Sequence, residues 1–140
     1  TLVSPRSAQE YGVPTNGAAD GEYPLSIAVA PGTLATDSVN EALGTGLFVG
    51  NLWYTNFSDR AACRTTGMTR FATFWMEDGD IVAPVNVLRF DDTAYHLRGD
   101  RLEGLTDTAE VLLDTATYGE RSTDSARLPG ALVGAMRFVL

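Results

Sequence analysis

The chain has 140 residues, and a chain of this length buries about 68% of the surface that its unfolded form exposes, so it can form a core without disulfides. Its net charge of −8 argues against a broad nucleic-acid or anionic-membrane surface. All ten basic residues are arginines, which excludes a Schiff-base lysine and the lysine of a phosphate-binding loop.

The cysteine content and the hydropathy pattern bear on the cellular compartment. Cys63 is the single cysteine, so no internal disulfide can form, and the sequence has no secretory signal pattern and no apolar run long enough to cross a bilayer. We therefore expect a cytoplasmic protein. Because the chain starts at Thr1 and its last ten residues have the composition of a strand, we expect residues 1–140 to form a single domain at the C-terminus of a longer protein.

The first half of the chain contains loops, a short helix and strands. Residues 1–35 are rich in proline and glycine, which predicts mostly loop with one edge strand at residues 25–29. Thr36 or Asp37 can cap a short helix that ends at Gly44. Residues 46–54, GLFVGNLWY, predict one apolar strand, and the polar residues 56–66 predict a loop of the kind that presents binding residues.

Residues 67–90 are the clearest fold signal and predict a β-hairpin. Aromatic and β-branched residues precede the sequence Glu-Asp-Gly-Asp, and an extended apolar run follows it. The Asp78-Gly79 pair supplies the positive backbone dihedrals of a tight turn. Apolar residues occur on both faces, so we expect a central position in a sandwich or barrel. The expected core residues are Phe71, Phe74, Trp75 and Val85.

After the hairpin, the sequence predicts a helix and then a last strand. Residues 91–93 can cap a helix that carries Tyr95 and Leu97, and leucines and alanine at helical spacing extend this prediction to Leu113. Residues 115–127 predict a polar linker, which is followed by Pro129 and the final strand.

Three segments together resemble the TldD/PmbA family of metallopeptidase-related proteins, also described as modulators of DNA gyrase. The segments are GLFVGNLWYTNFSDR at 46–60, RTTGMTRFATFWMEDGDIVAPVNVLRF at 64–90 and RLPGALV at 127–133. The resemblance implies the C-terminal domain of such a protein. It further implies a mainly β (α+β) fold, with an antiparallel, barrel-like sheet and one to three peripheral helices.

The resemblance also implies two kinds of subunit, of which only one binds zinc. In a TldD-type chain, two histidines of an HExxxH helix and a cysteine near the C-terminus hold zinc, whereas a TldE/PmbA-type chain lacks the metal. This chain contains no HExxxH, but such a helix would lie upstream of this chain, so its absence alone decides nothing. Residues 123–132, where the cysteine is expected, offer only Asp124 and Ser125. The chain is therefore more TldE/PmbA-like, with no cofactor of its own and with zinc in a partner subunit or an upstream segment.

Two side chains invite a metal or nucleophile interpretation. Cys63 lies between alanine and arginine with no histidine near it in sequence, so we expect a small buried hydrophobe. His96 lacks a second soft ligand nearby, so we expect a structural histidine. We accordingly predict no catalytic residue and no metal ligand here.

Polar and arginine residues before the hairpin form the candidate binding site. Arginine pairs well with a peptide carboxylate or with the acidic surface of a partner, although Asp59 could instead pair with an arginine inside the fold. The candidate residues are Asn51, Tyr54, Asn56, Asp59, Arg60, Arg64 and Arg70.

Three functions remain open from the sequence. The first is a non-catalytic subunit that shapes a peptide chamber beside a TldD-like catalytic subunit or within a homo-oligomer. The second is part of a zinc peptidase whose HExxxH helix lies upstream, and the third is a protein-interaction module of the gyrase-modulator type. None of the three needs nucleic acid or a membrane as a direct partner.

Overall fold

The computed structural model describes residues 2–18, 21–24, 26–113, 115 and 124–139. The chain divides into two compact units, one formed by Thr1–Ala30 and Glu110–Leu128 and the other by Pro31–Ala109 and Pro129–Leu140. None of the helices in the described ranges has the length and apolarity needed to span a membrane.

The elements follow one another along the chain as short helices and ten strands within the described residues. They are α1 (Pro5–Tyr11), β1 (Ser26–Ala28), a 3₁₀ turn (Thr36–Ser38), α2 (Val39–Leu43), β2 (Gly46–Val49), β3 (Leu52–Asp59), β4 (Arg64–Thr69), β5 (Thr73–Glu77), β6 (Asp80–Pro84), β7 (Arg89–Thr93), a π-helical turn (His96–Asp100), β8 (Leu102–Leu113), β9 (Ser125–Val133) and β10 (Phe138–Val139).

The strands form three sheets, which confirms the mainly β prediction. Their orders are β1-β9-β8, β10-β7-β4-β3 and β2-β5-β6. All pairs in the second and third sheets are antiparallel, whereas β1 runs parallel to β9. Among the described strands the sheets do not close on themselves, so the barrel-like part of the expectation is not seen.

Helix α1 was not predicted, because residues 1–35 were expected to be mostly loop. Its start has clear local causes: Pro5 occupies the first turn, and the Oγ atom of Ser4 accepts a hydrogen bond from the backbone N–H of Ser7 at 3.2 Å. Gly12 ends the helix in the left-handed conformation. The predicted edge strand is confirmed as β1, and the helix that ends at Gly44 is confirmed as α2. Its predicted start was wrong, since Thr36 and Asp37 lie in a 3₁₀ turn and α2 begins at Val39 without a side-chain cap.

The predicted hairpin is confirmed as β5 and β6. Asp78 and Gly79 have φ values of 51° and 84°, as a two-residue hairpin turn requires. The core prediction was wrong for Phe71 and Trp75, which are 68% and 37% exposed, and the other two predicted core residues, Phe74 and Val85, are only half-buried. Phe71 precedes β5, and a register shift between Trp75 and Met76 breaks the two-residue alternation, so that Met76 is buried.

Three further predictions require correction. The single strand at 46–54 is two strands, β2 and β3, which separate at residues 50 and 51. The loop at 56–66 is mostly strand, with only residues 60–63 between β3 and β4. The long helix to Leu113 is a single π-helical turn followed by the twelve-residue strand β8. Most of the linker predicted at 115–127 lies outside the described residues, and its last residues begin β9.

Candidate functional site

The four-stranded sheet has one buried face and one exposed face, because successive side chains of a strand point to opposite sides. In β4, Gly67 and Thr69 are buried while Met68 is exposed; in β7, Phe90 and Asp92 are buried while Arg89 is exposed. Gly67 pairs with Phe90 in the register. A Cβ atom on this glycine would lie 2.8 Å from the Phe90 ring, so the absent side chain makes room for the aromatic ring in the core.

The exposed face carries an arginine cluster in an open concavity of about 560 Å³. Strand register explains the cluster: Arg64 and Thr66 of β4 lie beside Thr93 and Asp91 of β7, and Arg89 lies beside Met68. The residue before β10 adds Arg137, whose carbonyl accepts a hydrogen bond from the backbone N–H of Asp91. The residues that line the concavity are Ser58, Arg64, Arg89, Asp91, Arg137 and Val139.

One carboxylate, Asp91, lies among these arginines. Its Oδ1 atom accepts a hydrogen bond from Nη1 of Arg64 at 2.8 Å. This hydrogen bond, with smaller contributions from Ser58 and from the positive charge of Arg89, holds the pKa of Asp91 below its usual value. The same contact raises the pKa of Arg64. Asp91 therefore stays ionised and compensates Arg64, while Arg89 and Arg137 are in no ion pair among the described residues.

A second carboxylate, Asp92, is 3% exposed on the buried face and joins three parts of the chain. Oδ1 accepts hydrogen bonds from the backbone N–H of Thr93 at 2.8 Å and from Nδ1 of His96 at 2.9 Å. Oδ2 accepts from the backbone N–H of Arg137 at 3.0 Å and from Nη1 of Arg101 at 3.2 Å. Asp92 thereby fixes the backbone that carries Arg137 into the concavity.

The structure divides the predicted site residues between the two ends of the β3–β4 hairpin. Strand β3 has eight residues and is about 25 Å long. Asp59, Arg60 and Arg64 lie at the end with the turn, whereas Asn51 and Arg70 lie at the other end, where the N–H of Arg70 donates to the carbonyl of Asn51. Tyr54 and Asn56 lie between the two ends on β3. These seven residues therefore do not form one cluster.

At the turn, Asp59 fixes the backbone as its alternative role predicts, but through different partners. Its Oδ1 accepts hydrogen bonds from the backbone N–H groups of Ala61 and Ala62, and among the residues that the structure describes it forms no ion pair with an arginine. Arg60 is exposed beside it. Of the predicted arginines, Arg64 alone lines the concavity.

At the opposite end, the guanidinium of Arg70 stacks on the ring of Trp53, with 4.3 Å from Cζ to the ring centroid. Such a contact at an exposed site contributes about 0.5–1 kcal/mol. Tyr54 has φ of 54° beside a register irregularity and is 75% exposed. The arrangement presents two aromatic side chains on the edge strand of the sheet.

Sequence reasoning missed Arg89, Asp91, Asp92 and Arg137 as members of this site. Arg89 and Asp91 are two residues apart on β7, so they lie on the same face of the strand. This two-residue spacing is the signal in the sequence that points to the site. It was overlooked because residues 91–93 were assigned to a helix cap. Arg137 carries no local signal, since it reaches the site only through the pairing of β10 with β7.

Cys63 and His96 are the two side chains for which the sequence invites a metal or nucleophile interpretation. Cys63 is half-buried at the turn after β3, so it is less buried than expected, and the ring of His96 is hydrogen-bonded to Asp92. Among the described residues, no three histidine, cysteine, aspartate or glutamate side chains are grouped so that they could hold a metal ion.

Comparison with known families identifies the relatives of this chain. Residues 1–139 match the family model of the PmbA/TldA metallopeptidase C-terminal domain. The chain belongs to the PmbA/TldD family. This membership confirms the resemblance that the sequence motifs indicated. A comparison with curated proteins gives no match.

Two solved structures resemble this PmbA/TldD family domain. The crystal structure of TldE from Thermococcus kodakarensis has a TM-score of 0.74 at 14% identity, and the match covers 98% of this chain and 30% of that one. A proposed modulator of a DNA gyrase from Thermotoga maritima has a TM-score of 0.69 at 13% identity, with 99% and 30% covered. At these identities the likeness shows the fold. The chain spans about 30% of the length of both proteins.

Proposed function

We propose that this chain is the C-terminal domain of a non-catalytic, TldE/PmbA-like subunit of a zinc-dependent peptidase complex. In this role it shapes a peptide-binding chamber and contacts the catalytic, TldD-like subunit. The observation that carries the proposal is the family match over residues 1–139 combined with a sequence that has no cysteine at 123–132, where a zinc-bearing relative is expected to have its ligand.

The environments of Cys63 and His96 support a non-catalytic role. A zinc-bound or nucleophilic thiol needs a second ligand or a base beside it. The carbonyl of Cys63 accepts a hydrogen bond from Ala94, and the φ value of 49° at Cys63 fits a turn position. Nδ1 of His96 is engaged by Asp92. Both residues thus have a structural explanation within the fold.

The exposed surface of β3 supports contact with another polypeptide. Four large apolar side chains of this edge strand are between 43% and 75% exposed: Leu52, Trp53, Tyr54 and Phe57. Exposed aromatic and other large apolar side chains on an edge strand are typical of protein interfaces. Within the proposed complex, β3 is the surface that meets the catalytic subunit, with Arg60 and Arg70 at its two ends.

The test uses the full-length protein, purified alone and together with its TldD-like partner. Zinc content is measured by elemental analysis, and cleavage of an unstructured peptide is followed by mass spectrometry. We expect no stoichiometric zinc and no cleavage by the protein alone, and zinc with cleavage in the mixture. Stoichiometric zinc and cleavage by the protein alone would instead establish a zinc peptidase with its HExxxH helix upstream. Zinc held by Cys63 and His96 would also overturn the proposal.

A second candidate is a protein-interaction module, which the name of the Thermotoga maritima structure favours. It predicts capture of a partner protein that requires β3 but no peptidase subunit. A pull-down with the full-length protein and its Trp53→Ala variant separates the two functions. Recovery of DNA gyrase by the wild type, its loss in the variant and no association with a TldD-like subunit would favour the second candidate.

A further inference from the structure

We propose that the arginine concavity on the four-stranded sheet binds a peptide carboxylate, supplied either by the C-terminus of the peptide or by an acidic side chain. The statement that the ligand is a peptide rests on the proposed function. The statement that the group bound is a carboxylate rests on the side chains described above. The site differs from the sequence-predicted constellation, because it shares only Arg64 with it.

Strand register places three guanidinium groups around one point of the sheet. Arg64 lies on β4, Arg89 lies on β7, and Arg137 immediately precedes β10, so two strands and the residue before a third contribute one arginine each. Sites built on paired strands hold their side chains more precisely than sites on loops. Arg137 is fixed further, since its backbone N–H and carbonyl are both hydrogen-bonded to residues of β7.

Two of the three guanidinium groups in the concavity can bind a ligand. Asp91 is ionised and pairs with Arg64, whereas Arg89 and Arg137 are in no ion pair within the residues that the structure describes. Nε of Arg89 makes only a long contact of 3.4 Å with Oγ1 of Thr66. The concavity is thus locally positive in a chain whose net charge is −8. A planar guanidinium fork matches the two oxygens of a carboxylate.

Asp91 offsets one of the three arginine charges. It therefore lowers the electrostatic attraction for a dianion by more than the attraction for a monoanion, although phosphate remains a competitor that the test includes. The negative net charge of the chain opposes a polyanion such as nucleic acid for the same reason. A carboxylate is the monoanion that peptides carry at their C-termini and on acidic side chains.

Apolar side chains on both sides of Arg89 favour a ligand that has aliphatic atoms next to its carboxylate. In the register, Met68 lies beside Arg89 on β4 and Val139 lies beside it on β10. Met68 is 37% exposed and Val139 lines the concavity. Burial of a ligand's aliphatic atoms against these two side chains adds a hydrophobic contribution that an inorganic ion cannot obtain.

The test measures peptide binding to the full-length protein without any partner subunit. The probes are three N-terminally labelled alanine peptides: one with a free C-terminal carboxylate, one amidated, and one amidated with a single internal glutamate. Fluorescence anisotropy gives the Kd of each, and inorganic phosphate serves as a competitor. We expect the free acid, the glutamate peptide or both to bind, and the plain amide not to bind. Whichever peptide binds identifies the source of the carboxylate.

Substitutions test which arginines bind the carboxylate. Arg89→Gln and Arg137→Gln are expected to raise Kd about tenfold or more, and Arg89→Lys to raise it less, since lysine keeps the charge but loses the fork. Arg98→Gln is the matched control, because Arg98 is exposed on the π-helical turn away from the concavity lining. Near-ultraviolet circular dichroism verifies that each variant is folded.

The results have distinct meanings for the two proposals. Equal binding of the amide and both acids, wild-type Kd in Arg89→Gln and Arg137→Gln, or tighter binding of phosphate than of the peptides overturns the carboxylate site. The zinc and cleavage results are unaffected by that failure, since they involve the partner subunit. Conversely, an absence of zinc or of cleavage in the mixture overturns the proposed function and leaves the measured Kd values standing.

Discussion

The ring of His96 donates a hydrogen bond from Nδ1 to Oδ1 of Asp92 at 2.9 Å, and this carboxylate is 3% exposed. The same carboxylate accepts from two backbone N–H groups and from Arg101. Asp92→Ala leaves these donors without their acceptor, so we expect the free energy of unfolding to fall by about 2–4 kcal/mol. Urea denaturation of the full-length protein, followed by circular dichroism, measures the change.

The control for this prediction is Asp100→Ala, which removes an exposed carboxylate at the end of the π-helical turn that begins at His96. We expect it to change the free energy of unfolding by less than about 0.5 kcal/mol. Equal effects of the two substitutions would show that Asp92 does not organise this region.

Acid should destabilise the fold partly through Asp92. Burial by itself raises the pKa of this carboxyl, but hydrogen bonds from Thr93, His96 and Arg137 and the charge of Arg101 outweigh burial, so the pKa in the folded state is lowered. The unfolded state therefore binds the proton more tightly, and the stabilisation is complete above the unfolded pKa of about 3.9 and is lost as the pH falls through the folded value. We expect the free energy of unfolding of the Asp92→Asn variant to depend less steeply on pH below about 4 than that of the wild type. Urea titrations across this range would refute the assignment if both proteins gave the same slope.

The turn of the β5–β6 hairpin gives a backbone prediction. Gly79 has φ of 84°, a region that costs an L-residue about 1–2 kcal/mol. Gly79→Ala should therefore lower the free energy of unfolding by about that amount, as thermal or urea denaturation can measure. Asp78→Asn is the matched control, because asparagine tolerates the φ of 51° at this position. A neutral Gly79→Ala variant would mean that the turn can adopt another type.

The correctly predicted hairpin and the wrongly predicted helix show which parts of the fold the sequence can predict. Asp78-Gly79 specifies a tight turn through the local dihedral preferences of two residues, and β5 and β6 follow from it. Residues 102–113 carry leucines at helical spacing but form β8, because their partners are distant: Oγ1 of Thr106 accepts from the N–H of Gly130, and its carbonyl accepts from Gly32. Pairing between residues so far apart in sequence has no local signal.

The same difference between local signals and long-range strand pairing applies to the candidate site. Arg64 could be singled out because it lies in a local concentration of arginine, but its partner Asp91 is 27 residues away. Arg137 reaches the concavity through the register of β10 with β7. The family motif identified the relatives of this domain, whereas the composition of the arginine cluster depends on strand register, which the motif does not encode.

Close packing at Gly67 gives the last prediction. A Cβ atom there would lie 2.8 Å from the Phe90 ring, and Phe90 is 2% exposed, so the ring has little space to move. We expect Gly67→Ala to lower the free energy of unfolding by about 1–3 kcal/mol because it overpacks the buried face of the sheet. Gly104→Ala is the matched control, since the nearest atoms to its added Cβ belong to Leu34 at 3.9 Å and 4.0 Å. Urea denaturation of both variants tests the assignment, and a Gly67→Ala protein as stable as Gly104→Ala would show that the Phe90 ring does not occupy this position.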